Sequence, residues 1–288
     1  FRKQILQCSR CGFCQAVCPV YGSTLRPGLN ARGKMLLLKE VMDGHLELND
    51  QLGESLFQCT TCASCFENCP SGVEVPEIIK QARKDMVNVG SCHPAFEGMH
   101  KVLQKHTNIY AEDEPEDFER ERNQKAEYVY FIGCVGSYRE DEATLETLEL
   151  LDKLKVDYTL IDEVCCSGVL EDVGYSINPE LARKNMDLIF HTGAKTVITG
   201  CPYCFRTFNN KPQYAQLKEK NVQVVHITQF LQDFDFPVST DLRVTYHDPC
   251  DLGRHCGIYE EPRKTIGKIA SNFVEMPDNH EGALCCGA

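Results

Sequence analysis

Apolar positions along the chain recur at two different periods, and the change between them divides the sequence. Up to about residue 90 the spacing is helical. Met35 to Val41 is an apolar helical stretch ending near Gly44, and Pro76 to Val89 places Ile78, Ile79, Ala82 and Met86 on one helix face. Residues 91–127 begin as an amphipathic helix and end in a charged stretch, Glu112 to Glu127, with the composition of a linker. From Tyr128 onward strand-like runs alternate with helical ones. Tyr128–Ile132, Val156–Ile161, Lys195–Thr199 and Val222–Val225 read as four strands. Between them, Ser137 opens a helix as a capping box with Glu140, backed by Leu145, Leu148, Leu151 and Leu154. Asn178-Pro179 starts the next helix and Gly193 ends it. Leu242 to His247 begins the pattern again. This alternation predicts a mostly parallel sheet covered by helices. Four segments follow: an α-helical domain over 1–90, a helical and charged linker over 91–127, an α/β domain over 128–238, and the start of a second α/β copy over 239–288, cut short at Ala288.

Composition narrows the class. With 288 residues, 42% apolar and 25% charged, the chain can bury cores in two or three globular domains. No run approaches the roughly 18 apolar residues of a spanning helix, so a soluble cytoplasmic chain without a transmembrane segment is expected, held at the membrane only through a partner subunit. A net charge of −12 argues against a nucleic-acid surface. Residue 1 is Phe with no signal peptide behind it, so the sequence is expected to begin inside a longer chain.

The outlying quantity is 18 cysteines. Secreted disulfide scaffolds are short and poor in core, whereas these cysteines fall in tight CxxC groups within a chain of ample core, which points to metal or cluster binding. Cys8, Cys11, Cys14 and Cys18-Pro19 form one run, and Cys59, Cys62, Cys65 and Cys69-Pro70 a second with the same spacing. Both match the two-cluster ferredoxin pattern, in which the fourth cysteine of each run crosses to the other cluster. The expected ligand sets are Cys8, Cys11, Cys14 and Cys69 for one cubane, and Cys59, Cys62, Cys65 and Cys18 for the other. Two four-cysteine zinc sites are the alternative; the third closely spaced thiolate and the trailing prolines favour clusters.

A second constellation lies in the α/β part. Cys134, the pair Cys165-Cys166, and Cys201 with Cys204 each follow a strand-like run, so all five thiols are expected past the carboxyl ends of neighbouring strands. Five cysteines exceed the needs of one tetrahedral zinc. An unusual iron–sulfur cluster fits better.

Cys134, 30 residues, Cys165-Cys166, 34 residues, then Cys201-x2-Cys204 resembles the cysteine-cysteine-glycine (CCG) domain. That domain occurs in heterodisulfide reductase catalytic subunits and in iron–sulfur subunits of glycerol-3-phosphate, glycolate and lactate oxidation systems. A two-cluster ferredoxin domain ahead of two such domains is similar to the D-type heterodisulfide reductase subunit. The resemblance implies an α-helical ferredoxin-like domain, then duplicated CCG α/β domains with the second copy truncated. It also implies that Cys134, Cys165, Cys166, Cys201 and Cys204 hold a noncubane [4Fe-4S] cluster as the catalytic terminus. Where the family has glycine after the cysteine pair, this chain has Ser167, with Gly168 one step later.

The second copy starts at His247-Asp248-Pro249-Cys250 and reaches Cys285-Cys286-Gly287 after 34 residues. The matching CxxC would lie about 35 residues further on. The second site is thus incomplete as given, with Cys250, Cys285 and Cys286 as its candidate ligands, and the resemblance implies that such a site can hold a cluster. His247, Asp248 and His255 beside Cys250 suit structural hydrogen bonding or acid–base work. The singletons Cys92 and Cys256 suit small buried apolar roles. Gly133-x2-Gly136 is too weak for a dinucleotide loop and no GxGxxG occurs, so a flavin is expected on a partner and not on this chain.

Two functions suit these motifs. One is reduction of a disulfide, either the heterodisulfide of coenzymes M and B or a protein disulfide, by two electrons delivered singly. The other is a relay between a flavoprotein dehydrogenase and a membrane quinone or haem subunit. A zinc-scaffolded interaction protein is the non-redox alternative.

Overall fold

A computed structural model describes residues 1–112, 118–236 and 239–287. Its helical part begins where side chains satisfy helix-end N–H groups that would otherwise lack partners. Asn30 accepts from Gly33 N–H and opens the helix Ala31–Met42, and Asn49 accepts from Leu52 N–H and opens Asp50–Phe57. Pro76 lies in the first turn of Val75–Asn88, where its missing N–H is harmless. The three helices bury Met35, Leu38, Leu52, Leu56, Ile78, Ile79 and Met86 in one core. Burial of each such side chain contributes roughly 1.5–3 kcal/mol. Cys8, Cys14, Cys59, Cys65 and Cys69 pack against that core, so the core fixes the cysteine loops.

The α/β part forms a four-stranded parallel sheet from β1 (Tyr128–Phe131), β2 (Tyr158–Thr159), β3 (Thr196–Thr199) and β4 (Gln223–His226). The strand order is β2-β1-β3-β4. Side chains alternate across the pleat. Val129, Phe131 and Val197 face Ala182, Met186 and Ile189 of the helix Pro179–Thr192 and Phe208 of the helix Pro202–Asn210. Tyr130, Ile132 and Ile198 face Leu148 and Leu151 of the helix Asp141–Lys153. Chain order reverses between β1 and β3, and the carboxyl ends of open sheets bind ligands at such a switch point. Two further strands, β5 (Thr240–Val244) and β6 (Ala270–Phe273), pair in parallel around the helix Glu260–Ile269.

Most expected elements are present, with three corrections. Ser137 caps nothing: Gly133, at φ +83°, turns the chain from β1 straight into the helix Gly133–Tyr138, which encloses Ser137. The next helix starts after Glu140 without a side-chain cap, and its Leu145 is exposed. The second strand is two residues long because the chain beyond it turns into the cysteine loop. Residues 118–127 do not hang free as a linker. Phe118 is buried, Asn123 N–H donates to Leu160 O, and Arg122 Nη1 donates to Ile161 O at 3.1 Å, lining the edge of β2. The rest of the charged stretch, 113–117, the 238/239 boundary and Ala288 fall wholly or partly outside the described residues. Among the described residues no helix is long and apolar enough to cross a membrane.

Candidate iron–sulfur centres

The two N-terminal cysteine runs meet in space. Cys18, from the first run, lines one small cavity with Cys59, Cys62 and Cys65 of the second. Cys14 is half-buried, and its thiol pKa is raised by burial and then by the neighbouring sulfurs of Cys8, Cys11 and Cys69. Cys11 is exposed, whereas Cys62 is buried. One set thus reaches solvent and the other faces the α/β part.

The five later thiols line a single cavity of about 520 Å³. Cys134 lies in the helical turn after β1, Cys165 and Cys166 in the loop after β2, and Cys201 and Cys204 after β3. The sulfurs of Cys204 and Cys166 are 3.5 Å apart. Cys201 caps the helix Pro202–Asn210, its sulfur accepting from Cys204 N–H at 3.5 Å. Hydrogen bonding with Cys134 raises the pKa of the Cys165 thiol, and hydrogen bonding with Cys165 together with burial pushes Cys166 up to about 12. All described cysteines are free thiols, none joined as cystine. A side chain at Gly133 would place its Cβ 3.1 Å from the Cys204 sulfur, so this turn is built for close approach. The Glu163 carboxylate holds the same turn, accepting from Ile132 N–H at 2.9 Å and from Gly133 N–H.

The residue after each cysteine pair shares one backbone conformation. Ser167 has φ +56° and Gly287 has φ +87°. This left-handed region favours glycine, so the serine keeps the geometry of the motif at a conformational cost. Its buried hydroxyl has no partner among the described residues.

The same cavity is also lined by Cys59 from the helical part and by Cys250 and Gly287 from the C-terminal part. Cys285 sits between Cys250 and Cys62, whose hydrogen bonds lower its thiol pKa, and its sulfur is 3.5 Å from Thr60 Oγ1. Cys286 is exposed. Cys92 is half-buried against the Tyr175 hydroxyl, and Cys256 against Asn210 Nδ2. His247 contacts Leu284 O, Asp248 is buried in an ion pair with Arg263, and His255 contacts Thr61 O at 2.9 Å.

Sequence patterns do not mark the ionic junction behind these thiols. Asp172 Oδ1 lies 3.0 Å from Lys80 Nζ and 3.4 Å from Arg206 Nη2, while Tyr203 OH donates to Oδ2 at 2.6 Å. Burial works to raise the Asp172 pKa, but the charges of Arg206 and Lys80 outweigh it and hold it low. Arg206 also pairs with Asp251, and Arg83 donates to Leu56 O, Cys59 O and Asp172 O. Lys34 is buried in the cavity of Cys18, Cys59, Cys62 and Cys65, and nothing in the sequence marks it beyond its place beside a helical stretch.

Iron–sulfur clusters suit this donor set. Eight thiols gather in the helical part, and a further five converge where one tetrahedral metal has room for four. Fold and site together define an iron–sulfur electron-transfer protein. A model of the 4Fe-4S dicluster domain matches residues 4–73, and one of the cysteine-rich CCG domain matches 128–209 and 244–288. The D-type subunit of the dihydromethanophenazine:CoB–CoM heterodisulfide reductase of Methanosarcina acetivorans is 32% identical over 98% of this chain and 77% of its own length. The EtfAB:quinone oxidoreductase of Syntrophomonas wolfei is 26% identical over 98% of this chain and 47% of its own. A probable membrane-anchored ferredoxin of Chromohalobacter salexigens is 27% identical over 97% and 49%. No solved structure matches. The chain belongs to the family of D-type heterodisulfide reductase subunits, as an iron–sulfur protein of oxidoreductase type that binds 4Fe-4S clusters.

Proposed function

We propose that this protein conducts electrons between an exposed face of its helical domain and the five-thiol site, and that a disulfide is reduced there. In this reading Cys8, Cys11, Cys14 and Cys69 hold an outer cubane, and Cys18, Cys59, Cys62 and Cys65 an inner one. Cys134, Cys165, Cys166, Cys201 and Cys204 hold a noncubane cluster, and Cys250, Cys285 and Cys286 contribute to a second. Bound clusters supply one-electron transfer. The observation that carries the reading is the shared cavity: Cys59, an inner-cubane ligand, lines the same space as all five later thiols. Thiols of both parts gathered around one space are what the protein provides.

The residues divide the remaining work. Arg83 and Asp172 fasten the Cys59 loop to the α/β part, and Gly133 and Glu163 present Cys134. Phe57, Phe96, Met99, Val135 and Val169 give the cavity an apolar wall. Reducing a disulfide takes two electrons and two protons and gives two thiols. The relative named for the CoB–CoM heterodisulfide makes that substrate class the first to test.

A relay role is the second reading, supported by the cavity wall itself. Its cation among the described residues, Arg83, is committed to three carbonyl oxygens, so the apolar wall offers no ready partner to an anionic substrate. A flavoprotein and a membrane quinone or haem subunit would then be the partners, in keeping with the named quinone oxidoreductase and membrane-anchored relatives. Anaerobic mixing of the reduced protein with CoB–CoM heterodisulfide separates the two. Reoxidation with release of thiols, and a new paramagnetic signal on substrate addition, supports reduction at this site. No thiol release with any disulfide, alongside rapid electron exchange with a flavoprotein or quinone, supports the relay.

A further inference from the structure

Lys34 is 1% exposed, and its ammonium group donates to the Leu29 carbonyl. Among the described residues no carboxylate is paired with it; its charged neighbours are the sulfurs of Cys59, Cys18 and Cys65 and the Arg83 guanidinium. A buried cation without an anion is costly, by several kcal/mol or more, and here a second buried cation lies nearby. Lys34 lines the cavity that Cys18, Cys59, Cys62 and Cys65 enclose. The cations beside the other thiol group, Arg10 and Lys39 next to Cys8 and Arg32 beside Gly12, are not fully buried.

We propose that Lys34 is the counter-charge of the inner cubane and raises its reduction potential without touching the outer one. The inference rests on the ligand sets of the proposed function. Four thiolates around a cubane core leave a net negative charge that grows by one on reduction. A fixed cation in a water-excluded cavity therefore favours the reduced form. One electron is taken up from an external reductant such as dithionite, and no bond breaks. Its role is positional and electrostatic, because its hydrogen bond goes to Leu29 O, not to the reacting atoms.

The test is an EPR-monitored redox titration of anaerobically purified, cluster-loaded full chain carrying Lys34→Gln, Lys34→Met or Lys34→Arg. Iron is counted in each sample, and Cys11→Ser is used to assign the outer signal. Lys34→Gln and Lys34→Met are expected to lower one cubane midpoint by a tenfold or greater change in the electron-transfer equilibrium, about 59 mV for one electron. The outer signal and Lys34→Arg should stay at the wild-type value. Unshifted midpoints in both neutral variants with full iron overturn the proposal, as does a shift confined to the outer signal. A shift in Lys34→Met but not Lys34→Gln also overturns it, since that marks the hydrogen bond to Leu29 and not the charge. If both neutral variants lose inner-cubane iron, Lys34→Arg decides: full iron at the wild-type midpoint supports the counter-charge, and loss there overturns it. Absence of two cubanes from the wild type would instead refute the ligand sets.

Discussion

Arg254 Nε donates to the carbonyl oxygen of Cys62 at 2.6 Å, across 192 positions of sequence. The same guanidinium donates from Nη1 to Ala283 O at 2.6 Å and to Glu281 O at 3.3 Å. One buried side chain thus ties the loop of the inner cysteine set to the segment that carries Cys285. Removing it strands buried carbonyls at both ends. Arg254→Met is expected to destabilise the chain by about 2–4 kcal/mol, measured by anaerobic denaturant unfolding. Limited proteolysis should then cut first between residues 250 and 287.

Asp172 is the anion at the junction of the three parts, facing Lys80, Arg206, Tyr203 and Thr61. Asp172→Asn removes one of two carboxylates from each of two buried cations, leaving Glu77 with Lys80 and Asp251 with Arg206. The expected loss is about 1.5–3 kcal/mol, read from thermal or denaturant unfolding. An unchanged midpoint would show that Glu77 and Asp251 alone satisfy Lys80 and Arg206.

Ser167 occupies a left-handed conformation that Gly287 also adopts, directly after the pair Cys285-Cys286. Ser167→Gly relieves the backbone and removes a buried hydroxyl without a partner among the described residues. It should retain its clusters and gain about 1 kcal/mol of stability. Ser167→Val, with a branched side chain at positive φ, should lose stability and cluster content together.

His226 is buried, with Nε2 donating to Gly200 O at 3.1 Å and Nδ1 against Thr228. Burial drops its pKa to about 4, so the folded ring is neutral. The unfolded state takes up a proton near pH 6.5 and the folded state only near 4, so stability is fully present above pH 6.5 and falls as pH drops toward 4. The loss attributable to His226 should be roughly 2 kcal/mol, read as the difference in unfolding free energy between wild type and His226→Gln at about pH 7.5 and about pH 5.

The legible parts of this chain are local. Cysteine spacing, the Asn178-Pro179 start and the face of Ile78, Ile79, Ala82 and Met86 each depend on residues a few positions apart, and all stand in the structure. Ser137 misleads because its capping pattern with Glu140 is equally compatible with a helix interior once Gly133 starts the turn earlier. Lys34, Asp172 and Arg254 are invisible for another reason. A buried charge is recognised by its partner, and the partners Cys59, Lys80 and Cys62 lie 25 to 192 positions away, with no periodic signal linking them. Ser167 stands out in the sequence as a departure from the motif, and only the backbone angle shows that the turn is kept.

The central claim is that thiolates grip iron in the α/β part as well as in the helical domain. Iron and sulfide analysis with Mössbauer and EPR spectroscopy of anaerobically purified protein, compared with Cys166→Ala, tests it most directly. The expected result is iron in excess of two cubanes, with the excess and its signal lost in the variant and both cubane signals intact. Iron limited to two cubanes in both proteins, or zinc filling the sites of Cys134, Cys165, Cys166, Cys201 and Cys204, would contradict it.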